Sequence, residues 1–146
     1  MLSGQGKGPK SLDMRYLPHP LCEQIELAAV LEALSDPTRL AIVLELADMA
    51  EELEASAEDA PEQRCSAFHH LGSKTNLTYH FAKLRAAGIT HARAVGTSRF
   101  ISLRRADLDS RFPGLLDTVI SAARGGKPAP RRIRPVTRPR RPAKTT

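Results

Sequence analysis

Hydrophobic positions in the first third of the chain recur with helical spacing. Residues 23–34 place their apolar side chains on one broad face, which predicts a first helix. Asp36 and Pro37 then predict a break and a second helix, because Asp caps helix starts and Pro fits the first helical position. This second helix is expected to run to about Glu54, and its nearly continuous apolar surface predicts a place in the core.

Two short helices joined by a glycine are predicted next. Residues 65–71 favour a short helix that ends at Gly72, and Ser73 can cap the helix that follows. In that following helix the apolar residues recur at spacings of four and three, which marks the buried side; they are Leu77, Phe81 and Leu84. Two short helices with a tight turn between them are typical of a helix-turn-helix.

Alternating β-prone residues follow the helix-turn-helix. The runs 89–95 and 99–103, joined around Gly96, predict a two-stranded β-hairpin, or wing. A last helix is expected over residues 107–123, bent or split at Pro113. The expected fold class is therefore mainly α with a small β-hairpin: a winged helix-turn-helix of about five to six helices plus a two-stranded wing.

Charge is distributed very unevenly along the sequence. The formal net charge is +6, yet residues 124–146 contain nine Lys or Arg and no acid, whereas residues 1–123 contain 13 Lys or Arg and 16 Asp or Glu. Residues 48–62 hold seven acids and no Lys or Arg, while residues 73–103 hold five Lys or Arg and no acid. This local basic profile is typical of a surface that faces phosphates.

Length and composition favour one domain with two tails. The 146 residues are 41% apolar, which suits one compact domain over residues 17–123, the winged helix-turn-helix expected above. We expect residues 1–16 to be a flexible arm and residues 124–146 a disordered basic tail, because Pro and like charge disfavour a core. The sequence has no apolar signal segment and two cysteines, so a cytoplasmic protein is expected, on the nucleoid when bound to DNA.

Polar groups on the predicted helix and wing suit DNA recognition. A helix amino end attracts phosphate, and Lys, Asn and hydroxyl side chains can reach base edges in a major groove. His80 lies between the buried and open faces, where a structural hydrogen bond is favoured over a base contact. The candidate DNA-binding residues are Ser73, Lys74, Thr75, Asn76, Thr78, Tyr79, His80, Arg93, Thr97, Ser98 and Arg99.

Three segments carry a family resemblance. They are Leu-Ser-Asp-Pro-Thr-Arg-Leu at residues 34–40, Ser73 to Ile89, and the Arg93 to Leu103 hairpin, and together they resemble ArsR-type (ArsR/SmtB) winged-helix repressors over about residues 20–120. The resemblance implies a homodimer that pairs its first and last helices and binds double-stranded DNA at an inverted-repeat operator. The wide apolar stripe of the last helix independently favours such a partner.

Metal sensing is weakly supported by the residues. Many proteins of this family bind metal near the third helix, where Cys65 and His69 are weak candidates, but a Cys-x-Cys pair is absent and too few ligands share a face. The last helix has Asp107, Asp109 and Asp117 without a following His. A redox pair of Cys22 and Cys65 would need Cα atoms within about 7 Å. No metal and no cofactor are expected, and the effector is unknown.

Enzyme motifs are not found in the sequence. It has no nucleophile with a spaced base, no Gly-rich phosphate loop and no His-Glu-x-x-His zinc signature. The expected function is therefore a sequence-specific, dimeric DNA-binding repressor that an unknown effector releases. The alternative is a non-specific nucleoid-associated or protein-interaction module that relies on the basic tail.

Overall fold

The computed structural model describes residues 17–125 of the chain. The α-helices in that range are α1 (Leu27–Leu34), α2 (Pro37–Glu52), α3 (Lys74–Ala86), α4 (Arg105–Arg111) and α5 (Leu115–Ala123). The strands are β1 (Gln63–Arg64), β2 (Thr90–Val95) and β3 (Ser98–Leu103), and 3₁₀ helices cover Cys22–Gln24, Ala57–Asp59 and Cys65–Leu71. The expected mainly helical fold with a small β-sheet is confirmed, while the proposed arm at 1–16 and nearly all of the basic tail lie outside the described residues.

Helix α2 begins where the sequence predicts it. The Asp36 carboxylate accepts hydrogen bonds from the backbone N–H groups of Thr38 (2.9 Å) and Arg39 (3.0 Å), and Pro37 occupies the first helical position. These bonds, with the one from Arg39 foremost, lower the pKa of Asp36. Ile42, Val43 and Leu46 on α2 are buried, so this helix forms the centre of the core as expected.

The junction between α3 and β2 is tightly packed. Helix α3 ends at Ala86, and Gly88 then adopts a φ of 85°, which places it in the left-handed region that favours glycine. A Cβ on Gly88 would lie only 2.6 Å from the Ile25 side chain. Gly88 therefore sets how closely the end of α3 approaches the segment before α1.

The wing contains one strand more than the sequence predicts. Strands β2 and β3 pair in an antiparallel hairpin that turns through Gly96 and Thr97, as expected, with Val95 opposite Ser98. Strand β1 adds to the other edge of β3, in the order β1-β3-β2, and pairs Arg64 with Phe100. The acidic segment of residues 48–62 thus ends directly before this two-residue strand.

The last helix is split, as the proline in its sequence predicts. Helix α4 ends at Arg111 and α5 begins at Leu115, on either side of Pro113. Leu108, Leu116 and Ile120 are buried in the core. No helix within residues 17–125 is long and apolar enough to cross a membrane.

The structure describes two residues beyond the end of α5, Arg124 and Gly125. Arg124, expected as the first residue of the disordered tail, follows α5 and pairs with Asp48 at 2.5 Å and Glu51 at 3.2 Å. Its backbone N–H also bonds to Ile120 O at 3.0 Å. Arg124 therefore connects the carboxyl end of α5 to α2.

Candidate nucleic-acid interface

The amino-terminal half of α3 presents a polar surface to solvent. Ser73 caps the helix by accepting a hydrogen bond from the Asn76 N–H at 3.2 Å. Leu77 and Leu84 point into the core, and this fixes which side of α3 faces outward. The predicted contact residues on that outer side are all exposed: Ser73, Lys74, Thr75, Asn76, Thr78 and Tyr79.

The tip of the wing lies beside this exposed half of α3. A cleft of about 510 Å³ separates the two elements, with Lys74 and Thr78 lining it from the helix and Thr97, Ser98 and Arg99 lining it from the tip. Arg99 and Thr97 are exposed and Ser98 is half-buried. The structure therefore brings together the two groups of candidate residues that the sequence separates by about 20 positions.

His80 does not lie on the exposed surface, although it was among the candidate DNA-binding residues. Its side chain is buried, with 7% residue exposure, and Nδ1 accepts a hydrogen bond from Arg39 Nη1 at 3.2 Å. The Asp36 carboxylate lies 3.8 Å from the same nitrogen. Helical spacing places His80 with Leu77 and Leu84 rather than with Thr78, so the structural role considered for it in the sequence is the observed one.

Arg39 holds the start of α2 against α3. The guanidinium is buried, with Nε donating to the Ala33 carbonyl at 2.7 Å and Nη2 to the Glu32 carbonyl at 3.4 Å. Together with the bond to His80, these contacts connect α1, α2 and α3. Because buried charge is costly without partners, this arrangement fixes the position of α3 relative to the body. The sequence motif contains Arg39 but gives no sign of this role.

Arg93 on the wing is already paired within the chain. Its guanidinium forms two hydrogen bonds with the Glu62 carboxylate, at 2.7 and 2.8 Å, and these bonds lower the pKa of Glu62. The side chain of Arg93 remains half-exposed. Arg93 can therefore reach a phosphate only in competition with Glu62, a partner 31 positions away that the sequence analysis did not identify.

A further cation beside the wing tip was also missed. Arg64 on β1 donates to Ser98 Oγ at 2.9 Å and lies over the Phe100 ring at 5.2 Å. Arg93 lies against the same ring at 5.3 Å. The place of Arg64 beside the wing tip is seen only through the pairing of β1 with β3, because a two-residue strand leaves no alternating pattern in the sequence.

The comparison with known proteins agrees with this geometry. No protein-family model matches the chain. One relative is YceK of Bacillus subtilis (strain 168), an uncharacterized HTH-type transcriptional regulator; the two are 34% identical over 92 residues, which cover 63% of this chain and 84% of the relative. This chain belongs to the HTH-type transcriptional regulators. Its function is accordingly DNA-binding transcriptional regulation.

The weak metal candidates of this HTH-type regulator, Cys65 and His69, are among the residues that line the cleft. Burial raises the pKa of the Cys65 thiol to about 11, against the opposing effect of the Arg99 charge, so the thiol is protonated near neutral pH. His69 Nδ1 lies 3.2 Å from the Ser66 carbonyl. Across residues 17–125 no group of three or more His, Cys, Asp or Glu side chains is placed to hold a metal ion.

The two cysteines of the regulator are free thiols in separate surroundings. Cys22 Sγ contacts the Asp107 carbonyl at 3.8 Å, and burial followed by the charge of Asp107 raises the pKa of Cys22. Cys65 instead lines the cleft beside α3. Asp107, Asp109 and Asp117, considered as metal ligands, each pair with Arg104 or Arg105.

Proposed function

We propose that this HTH-type regulator is a winged-helix repressor of the ArsR type that binds an inverted-repeat operator as a homodimer and is released by an effector. The observation that carries the proposal is the shared surface of α3 and the wing tip. Exposed groups from both elements meet there around Lys74, Thr78 and Arg99, and no acidic residue lines the cleft between them. Such a surface can follow a groove and its flanking phosphates together.

The exposed polar residues divide into two kinds of contact. Asn76, Thr78 and Tyr79 carry groups that can read base edges when α3 enters a major groove, and each good base contact is worth about 1–3 kcal/mol of discrimination. Lys74 and Arg99 supply charge for phosphates, with Arg93 added when it leaves Glu62. The wing then lies on the backbone or in the adjacent minor groove.

An exposed apolar strip supports the homodimer. Leu27 and Leu31 lie one turn apart on α1 and are 45% and 46% exposed, and Leu21 just upstream is 58% exposed. On α5, Leu115 and Val119 are half-buried against the core, so this helix is more completely covered than its sequence stripe predicts. A symmetric pairing through the first and last helices would cover the leucines of α1.

The second candidate function is non-specific DNA packaging, or protein interaction, driven by the basic tail. Residues 124–146 hold nine Lys or Arg, which is the observation in its favour. In that case affinity would depend on counterion release by the tail and be indifferent to base sequence. The polar, base-reading character of the exposed residues on α3 favours the operator-binding repressor.

One binding experiment separates the two functions. The full chain is titrated against its own upstream DNA and against a scrambled duplex at about 150 mM salt, and again after deletion of residues 126–146. A repressor should prefer the upstream DNA by at least about 10³, with the preference retained after the deletion. A ratio near one, with binding lost on deletion, would contradict the proposal and support packaging.

A further inference from the structure

The cleft between α3 and the wing tip has the size and lining of a ligand site. Its volume of about 510 Å³ lies within the range of about 300–1,000 Å³ typical of small-molecule pockets. Three side chains with fixed positive charge line it, namely Lys74 from α3, Arg64 from β1 and Arg99 from β3, and no carboxylate does. Neither Lys74 nor Arg99 has an ion-pair partner within residues 17–125.

The inner wall of the same cleft is apolar. Leu77, Phe81 and Cys65 line it, and Phe81 packs edge-on against the buried Phe68 at 5.7 Å between ring centroids. The Cys65 thiol is neutral near pH 7 because burial raises its pKa to about 11. The cleft thus combines an uncharged wall with a cationic rim.

This combination selects among ligand classes. A cationic ligand would meet three like charges and no counter-charge. A metal ion would find one protonated thiol and one histidine, with no third ligand grouped with them in the described range. A purely apolar ligand would leave the arginine and lysine groups without a partner. An apolar ligand with an anionic group can contact the uncharged wall and the cationic rim together.

We propose that the cleft binds a small organic anion, with its apolar body against Cys65 and Phe81 and its carboxylate or phosphate among Lys74, Arg64 and Arg99. Because Lys74, Thr78 and Arg99 also belong to the proposed DNA surface, the anion and operator DNA bind in competition. The anion is then the effector that releases DNA, a consequence that rests on the proposed function. At an anion concentration 100 times its Kd, apparent DNA affinity falls about 100-fold.

Amide chemical shifts of the ¹⁵N-labelled full chain test the binding directly. Benzoate and phenyl phosphate are the probes, and acetate and benzyl alcohol supply the charged group and the apolar body separately, all at constant ionic strength. We expect saturable shifts at Thr78, Ser98 and Arg99 with both probes, and at least tenfold weaker binding of acetate and benzyl alcohol. Absence of saturable shifts at these residues, or equal binding of acetate or benzyl alcohol, would overturn the proposal.

A cysteine pair provides matched variants. Cys65→Met fills the apolar wall and should weaken benzoate binding at least tenfold. Cys22→Met alters the other free thiol, near Asp107, and should leave benzoate binding unchanged. If Cys65→Met fails to fold, Arg64→Gln at an exposed position should weaken both charged probes at least fivefold. Benzoate binding that is unaffected by the folded cleft variant would overturn the site.

Operator competition separates this inference from the proposed function. Benzoate should raise the apparent Kd for the operator over the concentrations that saturate the amide shifts. If the chain bound no DNA specifically, the proposed function would fail while saturable shifts would still establish the anion site. If DNA bound specifically and the anions produced no shifts, the anion site alone would be wrong.

Discussion

Substitution of Gly88 by alanine should lower the free energy of unfolding for two reasons: the positive φ of this residue and its close packing against Ile25. Gly88 has a φ of 85°, and an alanine there should lose about 1–2 kcal/mol through the left-handed backbone alone. The new Cβ would also lie 2.6 Å from Ile25 Cγ1 and 2.8 Å from Cδ1, in a buried region that cannot easily yield. Overpacking of this kind costs about 1–3 kcal/mol. We expect a total loss of about 3 kcal/mol in the free energy of unfolding.

Gly96→Ala is the matched control. Gly96 has a φ of 62°, and a Cβ there meets no atom within 4 Å, so only the backbone cost of about 1 kcal/mol applies. Urea denaturation measures both variants; with a denaturant slope of about 1.5 kcal/mol/M, the midpoint should fall by about 2 M for Gly88→Ala and by less than about 1 M for Gly96→Ala. Equal losses in the two variants would refute the close-packing argument.

Three further outcomes follow from named contacts. Glu62→Gln should free Arg93 to bind a DNA phosphate and raise DNA affinity severalfold. The slope of log binding constant against log salt concentration should become steeper by up to about 0.9. Leu31→Glu on α1 should weaken dimerisation at least tenfold in sedimentation equilibrium. The free energy of unfolding should fall as pH decreases from about 6.5 to about 4. Burial lowers the pKa of His19 to about 4, so the unfolded chain binds the proton at a higher pH than the folded chain does. Protonation of His19 in the folded chain would also remove the acceptor for the Ala92 N–H.

Each of these outcomes has a control. Glu58→Gln, in the same acidic segment, should leave DNA affinity unchanged, and an equal rise in both variants would indicate a general charge effect. Leu53→Glu places the same charge on a leucine that follows α2 and is 62% exposed, and it should leave dimerisation intact. For His19, which is half-exposed, solvent screening reduces the expected acid loss to about 1 kcal/mol; an unchanged pH profile in His19→Ala would refute its role.

Local signals made the helix starts and the wing predictable from sequence. Asp36 and Ser73 cap helices through hydrogen bonds to residues two or three positions away, so both caps can be predicted from the local sequence. The hairpin at Gly96 is equally local. These features were sufficient to predict the outward-facing side of α3 and the turn of the wing, but not the packing of the wing tip beside α3.

Contacts between distant segments could not be predicted in the same way. The pairs Glu62 with Arg93 and Arg64 with Ser98 connect residues 31 and 34 positions apart, and they depend on a strand of only two residues. A structural hydrogen bond of His80 was favoured from the sequence, but its partner was not identified, because Arg39 lies 41 positions away and its side chain is buried only after α1 and α3 have packed around it. Tertiary packing thus decides which polar residue is a structural partner and which is exposed.

In the proposed function, α3 reads bases while the wing binds phosphates. This division is tested most directly by comparing two substitutions on two DNA duplexes. Thr78→Ala and Arg99→Ala are each titrated against the upstream operator and a scrambled duplex over a range of salt concentrations. We expect Thr78→Ala to weaken operator binding by about 1–3 kcal/mol and to leave scrambled DNA nearly unchanged. Arg99→Ala should weaken both duplexes by a similar factor and reduce the salt slope by about one. Equal effects of both substitutions on both duplexes would contradict sequence recognition by α3.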